Sequence, residues 1–340
     1  MKQTKRTLAD IAEITGLSTS TVSRALNDSP LINDETKKLV QKTARDINYQ
    51  MHLGARNFRL QRSFTVAVVI PIDADSSETL SNPFVLEFIG SVGNELRNHG
   101  YNLLLLQENQ INEQYWQSGL VDGFIQLGHG LDRTALSSLP RDMPLVVWGC
   151  PLPDRPYISI GVDNVALSYQ IVKHLINLGR KKIAIITGAD QDEETEAVHR
   201  LQGYQKALDE AGYTFDERLI GYAGFDTGEG YRVAKELAEQ IPDLDGVFVG
   251  SGDIVALAVI EALRQSGKQV PEDVAVVGFD NCNIGVHCGV PLTTVSQEIK
   301  TMGARELVDS VMLQIEGQPA KSKVLEGKIV IRRSCGANAF

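Results

Sequence analysis

Paired cysteines, long apolar runs and catalytic signatures are all scarce in this chain of 340 residues. Its four cysteines, Cys150, Cys282, Cys288 and Cys335, stand at no paired spacing. That argues against a disulfide framework and fits a reducing compartment. Cys282, His287 and Cys288 lie close together, but no second pair accompanies them at zinc-ligand spacing, so no metal is expected. No stretch approaches the length needed to cross a bilayer. The basic start, Met1 to Arg6, leads into no apolar segment of the kind a secretory signal carries. A cytoplasmic protein without membrane contact is the expectation. There is no Gly-Lys-Ser/Thr phosphate loop, no His-Glu-x-x-His pair and no nucleophile elbow, so neither an enzyme nor a cofactor is expected. Gly250-Ser251-Gly252 follows a strand and opens a helix as a dinucleotide turn does, but Val255 or Ala256 takes the place of its third glycine.

Charge is unevenly spread. Of a net −10, residues 1–62 hold 11 Lys and Arg against 6 Asp and Glu, which is +5, leaving −15 on the rest. A basic head on an acidic body is the asymmetry of a chain that binds nucleic acid at one end. The 43% hydrophobic content is enough for a sizeable core, and the length suits two or three domains.

The head reads as three short helices. Thr7 is placed to cap the first, which carries Leu8, Ile11, Ala12 and Ile14 at helical spacing. Gly16 interrupts it, as a glycine past a helix end does. Ser18 caps the second, with Val22, Ala25 and Leu26 inward and Thr19, Ser20, Thr21, Ser23, Arg24 and Asn27 on the other face. Asn33 or Asp34 opens a third, with Leu39, Val40, Ala44 and Ile47 apolar. Two short helices across a glycine turn make a helix-turn-helix. A thin second helix, polar outside, suits the major groove of double-stranded DNA. Thr19 and Ser20 sit at the end that meets base edges, and Arg24 can reach a guanine or a phosphate. Ser18, Thr21, Ser23 and Asn27 suit phosphate oxygens. A helical bundle with a merely solvated face would show the same periodicity, so spacing alone leaves the reading open.

The body alternates apolar strand-like runs with helices. One series holds 65–70, 102–106, 123–127 and 145–148; a second holds 182–186, 246–249 and 274–278. Continuous apolar strands between helices mean parallel sheets covered on both faces. Two series mean two doubly wound subdomains, with a ligand between the carboxyl ends of their strands.

The particular residues narrow this. Thr7-Leu8-Ala9-Asp10-Ile11-Ala12, Thr15-Gly16-Leu17-Ser18, Thr21-Val22-Ser23-Arg24-Ala25-Leu26-Asn27, Asn33-Asp34-Glu35-Thr36 and Asn48-Tyr49 closely resemble the head of the LacI (lactose repressor) family. The resemblance counts Thr7 and Tyr49 among the DNA-facing residues. Residues 50–62 resemble that family's hinge helix, which orders on specific DNA. Phe58 would be its minor-groove wedge, with Arg56 beside it. Met51-His52 departs from the Pro-Asn common there, and Gly54 costs an isolated helix about 1 kcal/mol. Asn82-Pro83-Phe84 with Glu87, Gly161-Val162-Asp163-Asn164, Arg200-Leu201-Gln202-Gly203-Tyr204, Gly278-Phe279-Asp280 and Pro291-Leu292-Thr293-Thr294-Val295 resemble the family's effector domain, itself similar to periplasmic sugar-binding proteins.

The resemblance implies an α/β fold: a helix-turn-helix head (1–49), a hinge (50–62) and a periplasmic-binding-protein-like body of two doubly wound parallel-sheet subdomains (63–340). The subdomains would comprise about 63–160 plus 293–322 and about 161–292 plus 323–340. It also implies a small-molecule effector. Arg200 would fork onto hydroxyls or a carboxylate, Asp280 would accept from the ligand, and Phe225 would offer an aromatic wall. Phe84 and Trp148 would line the cleft, with Asp163 near the crossover and Asp253 at the cleft mouth. Gly252, where relatives often carry Ser or Asn, would leave room for a larger ligand. Phe84 and Phe225 could instead be core, and Asp163 and Asp253 helix caps. Aromatics with Arg and Asp favour a sugar. A homodimer is expected, since no leucine heptads follow the last strand-like run. The implied function is a carbohydrate-controlled repressor. The alternatives are a purine- or other metabolite-responsive corepressor or activator, and a soluble sugar-binding module without regulatory function.

Overall fold

The computed structural model describes residues 6–49, 60, 62–70, 80–107, 110–111, 113–129, 139–140, 142–188 and 195–337. The chain forms two compact units, Met1–Ser63 and Phe64–Phe340.

In the first, three helices form where local signals put them: α1 (Leu8–Thr15), α2 (Thr19–Leu26) and α3 (Asp34–Asp46). Thr7 and Asp10 make a reciprocal capping box, and Gly16 ends α1 at φ 67°. Ser18 and Asn33 accept backbone N–H groups at the starts of α2 and α3. Ile11, Ala12, Val22, Ala25, Val40 and Ala44 form the core. Ile14 and Leu39, expected inside, are exposed. Leu39 sits one residue, about 100° of helix, off the Val40–Ala44 stripe.

The second unit holds two six-stranded sheets. The first sheet takes β1 (Thr65–Ile70), β2 (Asn102–Gln107), β3 (Gly123–Leu127), β4 (Leu145–Trp148) and β5 (Ile158–Val162). Helices α4 (Pro83–Asn98) and α5 (Gln114–Gln117) fall within this stretch. The second sheet takes β6 (Ile183–Thr187), β7 (Ile220–Tyr222), β8 (Gly246–Val249) and β9 (Ala275–Phe279), between α6 (Asn164–Asn177), α7 (Glu196–Glu210), α8 (Thr227–Gln240) and α9 (Asp253–Gln265). After β10 (Thr293–Ser296) come a π-helical turn (Ile299–Gly303), α10 (Ala304–Ile315), β11 (Lys323–Leu325) and β12 (Lys328–Val330). Strand orders are β11-β5-β4-β3-β1-β2 and β12-β10-β9-β8-β6-β7. Every residue of β3, β4, β6, β8, β9 and β10 is buried, as strands covered on both faces must be.

The subdomain boundaries differ from expectation. Thr293–Ser296 runs parallel to β9 in the second sheet, and Lys323–Leu325 runs parallel to β5 in the first. The chain therefore crosses between sheets after Val162, after Ser296 and after Leu325, because each sheet completes its strand before the chain leaves. The second sheet is also not wholly parallel, since β12 runs antiparallel to β10.

Candidate functional site

On the head, Thr19, Ser20, Arg24 and Asn27 are exposed on α2. Ser20, Arg24 and Asn27 fall at i, i+4 and i+7, one stripe along the helix. Ser18 Oγ accepts from Thr21 N at 3.1 Å and lies 2.9 Å from both Ser20 Oγ and Thr21 Oγ1. Its hydroxyl therefore holds the helix start, and the exposed cluster there is formed by a cap together with its neighbours. Thr7 is likewise occupied with Asp10, and Thr21 is half-buried. Asn27 stays exposed, with Nδ2 donating to Ser23 O at 2.7 Å. Ser23, expected on the outer face, is 6% exposed, because it follows Val22 into the core side of α2. The Tyr49 ring packs against the head core, and burial raises its phenol pKa. Arg56 and Phe58 lie outside the described residues.

In the body, the carboxyl ends of the strands gather the chemistry. Arg200, on α7, is buried. Its Nε donates to Asn164 Oδ1 at 3.0 Å, its Nη1 to Gly250 O at 2.6 Å, and its guanidinium lies 3.8 Å over the Phe279 ring. The expected free fork is thus half-committed to the protein, and among the described residues nothing accepts from Nη2.

Asp280 follows β9 with φ 114°. An L residue is strained there, and such strain marks a position held for function. Gln297 Nε2 donates to its Oδ1 at 2.6 Å. Burial pushes its carboxyl up to about 6, against the opposing pull of Arg200 and of the Gln297 hydrogen bond. Gly252 does not open extra room for a ligand. A Cβ there would lie 2.8 Å from Asp280 Oδ2, so the carboxylate fills that space. With Gly250 O also taken by Arg200, the Gly250–Gly252 turn is filled by the protein's own side chains rather than left open for a pyrophosphate.

Asp253 is not at the cleft mouth. It is 1% exposed, with Oδ1 accepting from Thr294 Oγ1 at 2.5 Å and Oδ2 from Cys282 N at 2.7 Å. It ties α9 to β10 and to the loop after Asp280. Burial, with Asp280 nearby, raises its pKa well above the usual range. Trp148 is not a cleft wall either. It is 3% exposed, 6.4 Å from Phe88 and packed on Gly303, where a Cβ would come 2.7 Å from its ring. Phe84 is half-buried against the first sheet's core. Asp163 caps α6, accepting from Ala166 N at 2.9 Å, and is exposed at the crossover. Phe225 is 62% exposed, just past β7.

Several residues escaped the sequence reading. His129, after β3, lies 3.1 Å from Tyr157 Oη through Nδ1 and 2.7 Å from Cys150 O through Nε2. Glu196 precedes Arg200 by one turn of α7, the only signal that placed it here. Glu87 of α4 pairs with Lys300 at 2.8 Å and accepts from Asn283 N at 3.2 Å, tying the first sheet's helix to the second sheet's loop.

Comparison with known proteins adds to this geometry. A model of bacterial regulatory proteins of the lacI family matches residues 7–51, and a periplasmic binding protein-like domain matches 172–335. The HTH-type transcriptional regulator CelR of Thermobifida fusca is 32% identical over 98% of this chain and 99% of its own. The HTH-type transcriptional repressor CytR of Escherichia coli K12 is 30% identical over 99% and 98%. A solved CelR–cellobiose complex matches with a TM-score of 0.71 and 30% identity, covering 97% of this chain and 99% of that one. The lac repressor dimer bound to operator and the anti-inducer ONPF matches at a TM-score of 0.82 and 21% identity over 98% and 100%, a likeness of fold.

Proposed function

From the premise that the chain belongs to the lacI family of bacterial regulatory proteins, we propose that it represses transcription as a homodimer whose grip on a near-palindromic operator is set by a small carbohydrate. It is a helix-turn-helix regulator, and in this reading it catalyses no reaction and works in the cytoplasm. No described helix is long and apolar enough to cross a membrane. The exposed stripe Ser20–Arg24–Asn27 carries the DNA side of the proposal. The recognition helices of two protomers enter successive major grooves. Residues 50–62 form the hinge, with Phe58 as the wedge and Arg56 beside it. The sugar sits at the strand ends, with Asp280 accepting hydroxyls, Arg200 Nη2 donating and Phe225 stacking at the rim. The bound cellobiose of CelR supports a carbohydrate there. Its binding moves one sheet against the other and changes the spacing of the hinges, so sugar and operator affinities are coupled reciprocally.

The test is a titration of the full chain with duplexes from its own intergenic regions, at moderate salt, with and without glucose or cellobiose. Operator is expected to bind at least ~10³-fold more tightly than random duplex. Sugar is expected to weaken that binding by about 5–150-fold. Equal binding of all duplexes, with and without sugar, would sink the reading.

Acid should weaken the sugar contact. Asp280 accepts most strongly while ionised, and its carboxyl titrates at about 6. Sugar affinity is expected to fall as the pH drops below that value, by at most about tenfold per pH unit, and Asp280→Asn to remove the dependence. The sign reverses for the sugar-free fold. A folded-state value raised above the ordinary 3.8 gives stability that is fully present below about pH 4 and lost as the pH rises through about 6. Calorimetry at pH 5, 6 and 7.5 reads both effects.

A further inference from the structure

One carboxyl oxygen in the cleft, Glu196 Oε1, is hydrogen-bonded to nothing among the described residues. Glu196 opens α7 in the second sheet's half, and its side chain reaches across to the ends of β3 and β4 in the other half. A Cβ on Gly149 would lie 2.9 Å from Glu196 Oε1, and one on Gly128 would lie 3.8 Å from its Oε2. Glycine at the ends of both strands therefore leaves the carboxylate its space. Oε1 is buried, and among the described residues nothing donates to it. A carboxyl oxygen removed from water without a donor is costly, and native structures keep such an atom where something else supplies the donor. Its neighbours do not. His129 lies closest across Gly149, but both its ring nitrogens are engaged, with Tyr157 Oη and Cys150 O. His199, on the same helix, also feels the carboxylate and is held toward its neutral form by burial.

Carboxylates outnumber the one buried guanidinium here. Asp163 and Glu196 both act on Cys150, and Glu196 and Asp280 both act on Arg200. Asp280, Glu196 and Asp253 all act on the Arg200 guanidinium, two of whose donors are already spent on Asn164 and Gly250. A phosphate ester brings a charge of −1.5 to −2 and needs a free cationic fork, whereas a sugar hydroxyl brings a donor and no charge.

We infer that Glu196 sets the ligand specificity of this cleft: its Oε1 accepts hydroxyls of a neutral polyhydroxylated ligand, and with Asp163 and Asp280 it excludes phosphorylated and carboxylated sugars. The inference rests on the carbohydrate reading of the site and names which carbohydrates the site takes.

The full chain is titrated by calorimetry at pH 7.5 with glucose and cellobiose, and with glucose 6-phosphate and cellobionate. A neutral sugar is expected to bind at least a hundredfold more tightly than its anionic counterpart. Glu196→Gln is expected to weaken the neutral sugar at least tenfold and to narrow the gap to the anionic one. The sugar-free Glu196→Gln protein is expected to melt at or above the parent's temperature, because the amide is cheaper than the carboxyl to hold without a donor at Oε1; replacing a purely structural carboxyl would lower it. Glu196→Ala should weaken the neutral sugar as well. If no neutral sugar binds the parent, the carbohydrate reading fails and this inference with it. If a neutral sugar binds the parent and Glu196→Gln equally, or the variant melts lower, the carbohydrate reading stands and the role of Glu196 is overturned. A phosphorylated sugar that binds as tightly as its neutral form overturns the exclusion.

Discussion

Arg200→Ala is expected to abolish the response to sugar and to lower the melting temperature by about 6–12 °C. The first effect follows from Nη2, the one end of the guanidinium that no described residue engages. The second follows from what the other donors do. Nε and Nη1 fasten Asn164 and Gly250, and the guanidinium plane covers Phe279. Removing one member of a buried charged network costs about 3 kcal/mol or more, because its partners stay buried without it. For a chain of this size each kcal/mol moves the midpoint by about 2–4 °C. Sequence alone implied an arginine given over to the ligand. The structure makes it also the pin between α7, α6 and the β8 end. Arg200→Lys should not rescue either property, since an ammonium has no planar fork to serve two acceptors and stack at once. The stability loss should shrink in acid, where Asp280 is neutral with or without Arg200. Arg200 holds the Asp280 carboxyl down, so without it Asp280 titrates above about 6. Scanning calorimetry with operator titration checks all of this. An unchanged midpoint and a normal sugar response would remove Arg200 from the cleft.

What could be read in the sequence was whatever is decided locally. Thr7, Ser18 and Asn33 cap helices because a hydroxyl or amide oxygen three residues before a backbone N–H is a local geometry. The apolar runs became buried strands for a similar reason, since a strand covered on both faces cannot carry much else. The misses in the body share one feature: each depends on a partner far along the chain. Thr293 and Thr294 look too polar for a central strand, yet both are wholly buried, bonded to Ser334, Arg332 and Asp253 some forty residues away. That is why the second crossover was set too early. Asp253 looks like a cap at a cleft mouth until Thr294 and Cys282 close over it. Trp148 is sealed by Gly303, more than 150 residues later. Gly252 seemed to vacate space that Asp280 in fact occupies. Glu196 belongs to no motif quoted from the sequence, and what marks it is an Oε1 to which no described residue donates.

Ser20→Ala with Arg24→Ala is expected to reduce operator affinity by about 30-fold to 10,000-fold while leaving the head folded. Both side chains are exposed on α2, and neither contributes to the Ile11–Val22–Val40 core. Alanine is the better helix former at each position, and the cap bond from Thr21 N to Ser18 Oγ survives. Each well-made base contact is worth about 1–3 kcal/mol, and every 1.4 kcal/mol is tenfold. The loss should fall on operator far more than on random duplex, because phosphates carry no sequence information. Salt dependence separates the two roles open to Arg24. If it lies on a phosphate, the slope of log affinity against log salt falls by about 0.9; if it lies on a guanine, the slope is unchanged and discrimination at one base pair relaxes. Ser23→Ala is the contrast, because Ser23 is buried behind the same helix and should move stability rather than specificity. A double variant that still prefers operator over random duplex by the parent's ratio would mean that the outer face of α2 does not read the bases.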